Sequence, residues 1–197
     1  MRDALKYLFI ILLLACCCSL AAIGPNFLEF IQEDLVFRLD GKTLELDGDY
    51  WFCNNTQEDI TQQLYFPIPS DSMNAPAEKI RLVMTDPMPG QTAKIISVNK
   101  HGFWFEVSLP TQTIAVCQIS YQQKLQGNSA RYVLMSTHSW GKPLEWVKYT
   151  LITTKKLQID KLPLPDPLIK VKGRKRIYQW ELTNFMPEDD FIVEFHR

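Results

Sequence analysis

Lys94-Ile95-Ile96-Ser97-Val98-Asn99-Lys100-His101-Gly102-Phe103-Trp104-Phe105-Glu106-Val107-Ser108-Leu109 is the stretch that decides the fold. Its second half alternates strictly. Phe103, Phe105, Val107 and Leu109 share one face, while Trp104, Glu106 and Ser108 take the other. A period of two is the geometry of a half-buried strand. Lys100-His101-Gly102 supplies the turn, so the whole stretch reads as a β-hairpin.

The same pattern continues in both directions. Upstream, Leu35–Leu39, the turn Asp40-Gly41-Lys42 and Thr43–Leu46 form a second hairpin, and Tyr50–Cys53 follows Asp47-Gly48-Asp49. Ile60–Phe66 runs into Pro67-Ile68-Pro69, where a missing N–H ends a central strand. Downstream come Thr113–Leu125, Arg131–Thr137 and Leu144–Thr154, a hairpin of Leu168–Val171 with Ile177–Leu182, and Phe191–Phe195. Leu162–Pro167 is an extended proline-rich connector. Short strands between turn signals, without helical periodicity, predict an all-β chain: a two-sheet antiparallel β-sandwich over 34–197. Its expected preface is an N-terminal hydrophobic signal or anchor helix at 1–24 and a tether at 25–33, with one helical turn near Phe27–Ile31. Tyr50 and Phe52 alternate against Trp51 and Cys53, so this strand is either buried on both sides or switched in phase by a bulge at Gly48.

The leader carries Arg2 and Lys6 against Asp3, then the apolar run Leu8–Ala15 and Cys16-Cys17-Cys18. A positive start and a short apolar core are the signature of export. Leu13-Leu14-Ala15-Cys16 resembles the bacterial lipobox, which implies cleavage before Cys16 and acylation of its thiol and amine. Several acyl chains anchor far more durably than one. Three other fates fit the residues: cleavage around Ser19-Leu20-Ala21 to a secreted or periplasmic protein, an uncleaved anchor, or a palmitoylated cysteine cluster.

The formal net charge of −1 names no electrostatic partner. Its distribution is uneven: residues 25–90 hold four basic and twelve acidic side chains, 91–176 hold fourteen and four, and 177–197 hold one and five. Complementary segments meeting across a sheet are the plain explanation. Cys53 and Cys117, an even pair in an exported domain, read as a disulfide or as two buried thiols.

Lys170, Lys172, Arg174, Lys175 and Arg176 crowd around Gly173, and a tight turn would show them together to an anionic headgroup or envelope polymer. A solvated turn that deters edge pairing is the bland alternative. Export argues against a nucleic acid partner. Trp104, opposite its hairpin's phenylalanine face, and Trp140, beside Gly141 and Pro143, are candidate contacts for a ligand or partner. Catalysis is poorly supported: Ser136, His138 and Ser139 lie close, without a nucleophile elbow or an orienting acid. His101, His138 and His196 are too scattered for zinc. Asp40, Asp47 and Asp49 lack helix–loop–helix calcium spacing, so no metal or cofactor is expected.

Leu64-Tyr65-Phe66-Pro67-Ile68-Pro69 and Asn184-Phe185-Met186-Pro187-Glu188-Asp189-Asp190 carry a family resemblance. With Trp180 in the preceding strand, they resemble motifs of a group of exported or lipid-anchored bacterial proteins with an immunoglobulin-like or related β-sandwich ectodomain. The resemblance implies that fold and an extracytoplasmic address, and transfers no catalytic residue. The expectation is a membrane-tethered, non-enzymatic protein of the bacterial cell envelope that binds a protein or polymer partner. A carbohydrate-binding module using Trp104 or Trp140 is the alternative, and a small hydrolase around His138 the third reading.

Overall fold

The computed structural model describes residues 27–197. The leader, Cys16 included, lies outside them. Thirteen strands and one short 3-10 helix make up the described chain.

The Lys94–Leu109 stretch forms a hairpin of β5 (Thr92–Asn99) and β6 (Gly102–Leu109). Phe103, Phe105, Val107 and Leu109 are all buried, and Trp104 is exposed. Alternation also builds β1 (Glu29–Leu39) and β2 (Thr43–Asn54), joined where Asp40 Oδ1 accepts the backbone N–H groups of Lys42 and Thr43. That side-chain turn is why an aspartate begins the reversal. The remaining strands are β3 (Ile60–Pro67), β4 (Glu78–Thr85), β7 (Thr113–Lys124), β8 (Ser129–Tyr132), β9 (Leu144–Thr154), β10 (Gln158–Lys161), β11 (Leu168–Lys172), β12 (Lys175–Phe185) and β13 (Phe191–His196).

The chain is all-β, as expected, but its strands make three sheets and not all of them are antiparallel. Seven strands lie in the order β11-β12-β9-β1-β2-β7-β4, and β10-β13-β8 and β3-β6-β5 form two smaller sheets. β1 runs parallel to β9, with Gln32 opposite Trp146 and Leu39 opposite Thr153. Inward-facing residues of all three sheets share one core. Phe37 of β1 stacks on Phe191 of β13 at 4.2 Å, and Phe66 of β3 on Phe103 of β6 at 5.1 Å.

One local expectation is corrected. Phe27–Ile31 is not a helical turn: β1 begins at Glu29, within the expected tether, and Leu28, Phe30 and Ile31 are buried. Of the two readings of the Tyr50–Cys53 strand, the first holds: the register of β2 with β1 and β7 passes through Gly48 unbroken. β2 is a central strand with bulky groups on both faces, Trp51 meeting Trp146 edge-on at 6.3 Å on the outer one. Charge follows the plain reading. Lys148 pairs with Asp34 at 2.8 Å and Lys124 with Glu78 at 2.9 Å, each joining the basic middle segment to the acidic early one.

Candidate functional site

A bulge does occur nearby, in β1. Phe30 is opposite Phe52 and Gln32 opposite Trp51, so Ile31 is the extra residue. Without it, Phe30 and Glu33 would point to opposite faces. With it, both turn inward, and bulges recur where a strand must re-aim a side chain. Glu33 is thereby placed on the core face beside Tyr50, only 1% exposed.

Around this carboxyl the structure gathers phenols. Tyr149 of β9 donates its hydroxyl to Glu33 Oε1. Tyr50 of β2 and Tyr132 of β8 share a hydrogen bond at 3.0 Å. Burial pushes the Glu33 carboxyl up from 4.5 to about 7, partly opposed by the Tyr149 hydrogen bond. Burial and then the charge of Glu33 raise the Tyr50 and Tyr149 hydroxyls well above the usual phenol range. Low polarity disfavours each charged form, and a carboxylate beside a phenol disfavours a second negative charge.

A cavity of about 50 Å³ adjoins this group. Phe30, Phe52, Phe66 and Trp140 give it aromatic walls, while Glu33, Tyr50 and Tyr132 contribute polar ones. Its roof is the 3-10 helix Met135–Trp140, ended by Gly141 at φ +71°. Two contacts pin that roof: His138 Nε2 bonds the carbonyl of Pro187 at 2.7 Å, and Asp190 Oδ1 accepts the Met135 N–H at 3.0 Å. Asp190 also pairs with Arg131 at 2.7 Å.

The residues singled out from the sequence are dispersed. Trp140 is not a loop surface: it packs on Phe30 at 5.7 Å and Phe52 at 5.9 Å as a cavity wall. Trp104 lies on the outer face of the β3-β6-β5 sheet, 43% exposed, with Tyr65 at 5.2 Å. The two tryptophans therefore do not form one surface.

The disulfide expected between Cys53 and Cys117 is corrected. Both are free thiols. Cys117 is opposite Tyr50 on the core face, whereas Cys53 is opposite the exposed Ile114, three positions along and on the other face. That is about 10 Å of strand with side chains pointing apart, beyond the reach of a bridge. Burial pushes the Cys117 thiol up to about 12, making it a poor nucleophile.

The catalytic reading around His138 finds no assembled pair. Ser136 Oγ donates to the Val133 carbonyl and Ser139 Oγ to the Ser136 carbonyl, while the His138 contact is to Pro187. Among the described residues no group of three or more His, Cys, Asp or Glu side chains could hold a metal ion. Asp40 serves its turn, Asp47 pairs with Arg38, and Asp49 accepts from Gln118 at 3.3 Å.

The basic cluster does form a hairpin tip, β11 to β12, with Gly173 at φ +58°. It splits by strand parity. Lys170, Lys172 and Lys175 share the outer face, Arg176 takes the other, and Arg174 sits at the turn. Lys175 pairs with Thr154 and Leu39 with Thr153, so the tip lies at the end of the sheet opposite the start of β1.

Comparison with known proteins places the fold only. No protein-family model matches the chain, and no curated protein matches its sequence. A solved structure from Legionella pneumophila, described as a "putative nutrient binding protein", superposes with a TM-score of 0.67 at 13% identity, covering 88% of this chain and 68% of that one. An M1 zinc metallopeptidase from Deinococcus radiodurans gives 0.51 at 10% identity, covering 89% of this chain. This chain spans 44% of the metallopeptidase's length. Among the described residues no helix is long and apolar enough to cross a membrane.

Proposed function

We propose that this chain is an exported binding protein of the bacterial envelope, tethered through acylated Cys16 and not an enzyme. The large sheet with the two smaller sheets on its core face is the sandwich of that reading, and the exported bacterial group resembled in sequence is its kin. The observation that carries the binding role is the exposed basic hairpin tip, where Lys170, Lys172 and Lys175 share one face. His138, Ser136 and Ser139 each bond a backbone carbonyl and not one another, so these three form no assembled nucleophile–base pair. The nutrient-binding description of the Legionella structure is compatible with a binding role on the same fold. The basic tip stands at the far end of the sheet from β1's start, and its anionic counterpart in this reading is a lipid headgroup or an envelope polymer. Intact mass of the membrane-extracted mature protein tests the tether. The expected species begins at Cys16 and carries a diacylglyceryl group and an amide-linked acyl chain; an unmodified N-terminus at Ala22 or Met1 overturns it.

The exposed Trp104–Tyr65 pair favours a second reading, a carbohydrate-binding face. Flat aromatic faces stack on sugar rings and can dominate such contacts. Tryptophan quenching by a glycan, lost in Trp104→Ala, is its expected signature; an unquenched signal across a broad glycan panel removes it.

A further inference from the structure

Glu33 is an anomaly of packing. Its neighbours on the inner face of β1, Leu35 and Phe37, are apolar and fully buried. An ionised carboxyl in such surroundings is costly unless a positive partner or several hydrogen bonds compensate. Lys148, on the adjacent strand, is bound to Asp34 on the outer face. Beyond the Tyr149 hydroxyl that donates to its Oε1, Glu33 faces the cavity, its aromatic walls and the Tyr50–Tyr132 hydroxyl pair.

We infer that the cavity beneath Met135–Trp140 is a binding site for a primary ammonium group, held by the Glu33 carboxylate and walled by the rings of Phe30, Phe52, Phe66 and Trp140. Each part matches that ligand and disfavours the others. An ammonium brings three donors and no acceptor, and a carboxylate accepts only. The Tyr50 and Tyr132 oxygens offer further acceptor capacity on the same wall. Ring faces attract a cation through their quadrupole, tryptophan most strongly. An anion would meet the charge of Glu33, and a purely apolar ligand would bury that charge without a partner. The cavity has room for such a group: about 50 Å³ is available where one water needs about 10–15 Å³, so ammonium, methylammonium or the tip of a longer primary amine fits. A fully methylated nitrogen brings no N–H donor to the carboxylate. The site does not depend on the lipid tether or on the outer face of Trp104.

Urea unfolding of the full 197-residue chain in amine-free sodium phosphate at pH 8 is the test, with methylammonium chloride compared against sodium, potassium and tetramethylammonium chlorides at equal ionic strength. At ten times its dissociation constant, methylammonium is expected to raise the folding equilibrium constant about elevenfold over sodium. Glu33→Gln should abolish the response, Trp140→Leu should weaken it and Trp104→Ala should leave it intact. Should Glu33→Gln not fold, the contrast between Trp140→Leu and Trp104→Ala decides. No response to methylammonium, an equal response to potassium or tetramethylammonium, or an undiminished response in Glu33→Gln or Trp140→Leu overturns the site.

Discussion

Between about pH 4.5 and pH 7 the stability of the ligand-free protein is expected to fall by about 3 kcal/mol through Glu33 alone. The carboxyl is raised from 4.5 to about 7 by burial. Below 4.5 it is protonated in both folded and unfolded chains, and the stability tied to its neutral form is fully present. As the pH rises through 4.5 the unfolded chain gives up its proton first. The folded chain then binds more protons, so stability declines until Glu33 ionises in the fold near 7, and levels out above. One pKa unit corresponds to about 1.4 kcal/mol, so the shift amounts to about 3 kcal/mol. Other carboxylates titrate in the same range, which makes a difference measurement the right one. Glu33→Gln keeps an acceptor for the Tyr149 hydroxyl and cannot ionise. Its stability relative to the parent should climb by about 3 kcal/mol from pH 4.5 to pH 8, whatever its absolute offset. Urea midpoints of both proteins at the two pH values, in amine-free buffer, give the number. A constant difference would mean that Glu33 titrates alike in both states.

Much of the fold was legible because it rests on local alternation. Phe103 to Leu109 identified a face, Lys100-His101-Gly102 a turn, and Leu35 to Leu39 an inward row; none needs a distant partner to be read. The parallel pairing of β1 with β9 was not legible, since it brings Gln32 to Trp146 across more than a hundred residues and leaves no local mark. The cavity was missed for a smaller reason. Glu33 keeps step with Leu35, Phe37 and Leu39, and carrying that alternation back one step would have put it on the core face. Assigning 25–33 to a tether cut the strand short. The bulge at Ile31 was beyond alternation altogether, because adjacent buried residues look like a helical turn or a change of phase. The disulfide failed through parity: only the β2–β7 register shows that Cys53 and Cys117 occupy opposite faces. Trp140, beside Gly141 and Pro143, reads as a surface group, and only the fold turns it into a cavity wall.

Replacing Gly102 by alanine should cost about 4 kcal/mol, because its would-be Cβ meets backbone at a strained dihedral. Gly102 begins β6 with φ at +144°, and a Cβ there would lie 2.1 Å from the Phe66 carbonyl oxygen. That oxygen is backbone, so no side chain can swing aside. Strain at such a dihedral contributes about 1–3 kcal/mol, and overpacking a close contact about as much again. Relief would require β3 and β6 to separate where Pro67 is opposite Gly102 and where the Ile68 N–H donates to the His101 carbonyl at 2.8 Å. Phe66 and Phe103 are stacked next to that point, and Phe66 is also a wall of the Glu33 cavity. A matched control separates contact from dihedral. Gly173 also has positive φ, +58°, but nothing lies within 4 Å of its would-be Cβ. Gly173→Ala should therefore cost only the left-handed backbone term of about 1–2 kcal/mol. Folded domains hold about 5–15 kcal/mol in all, so Gly102→Ala spends a large share of the margin. Denaturation midpoints of the two variants at one pH should differ accordingly. Equal and small losses would place the strain in the dihedral alone and leave the Phe66 contact free to relax.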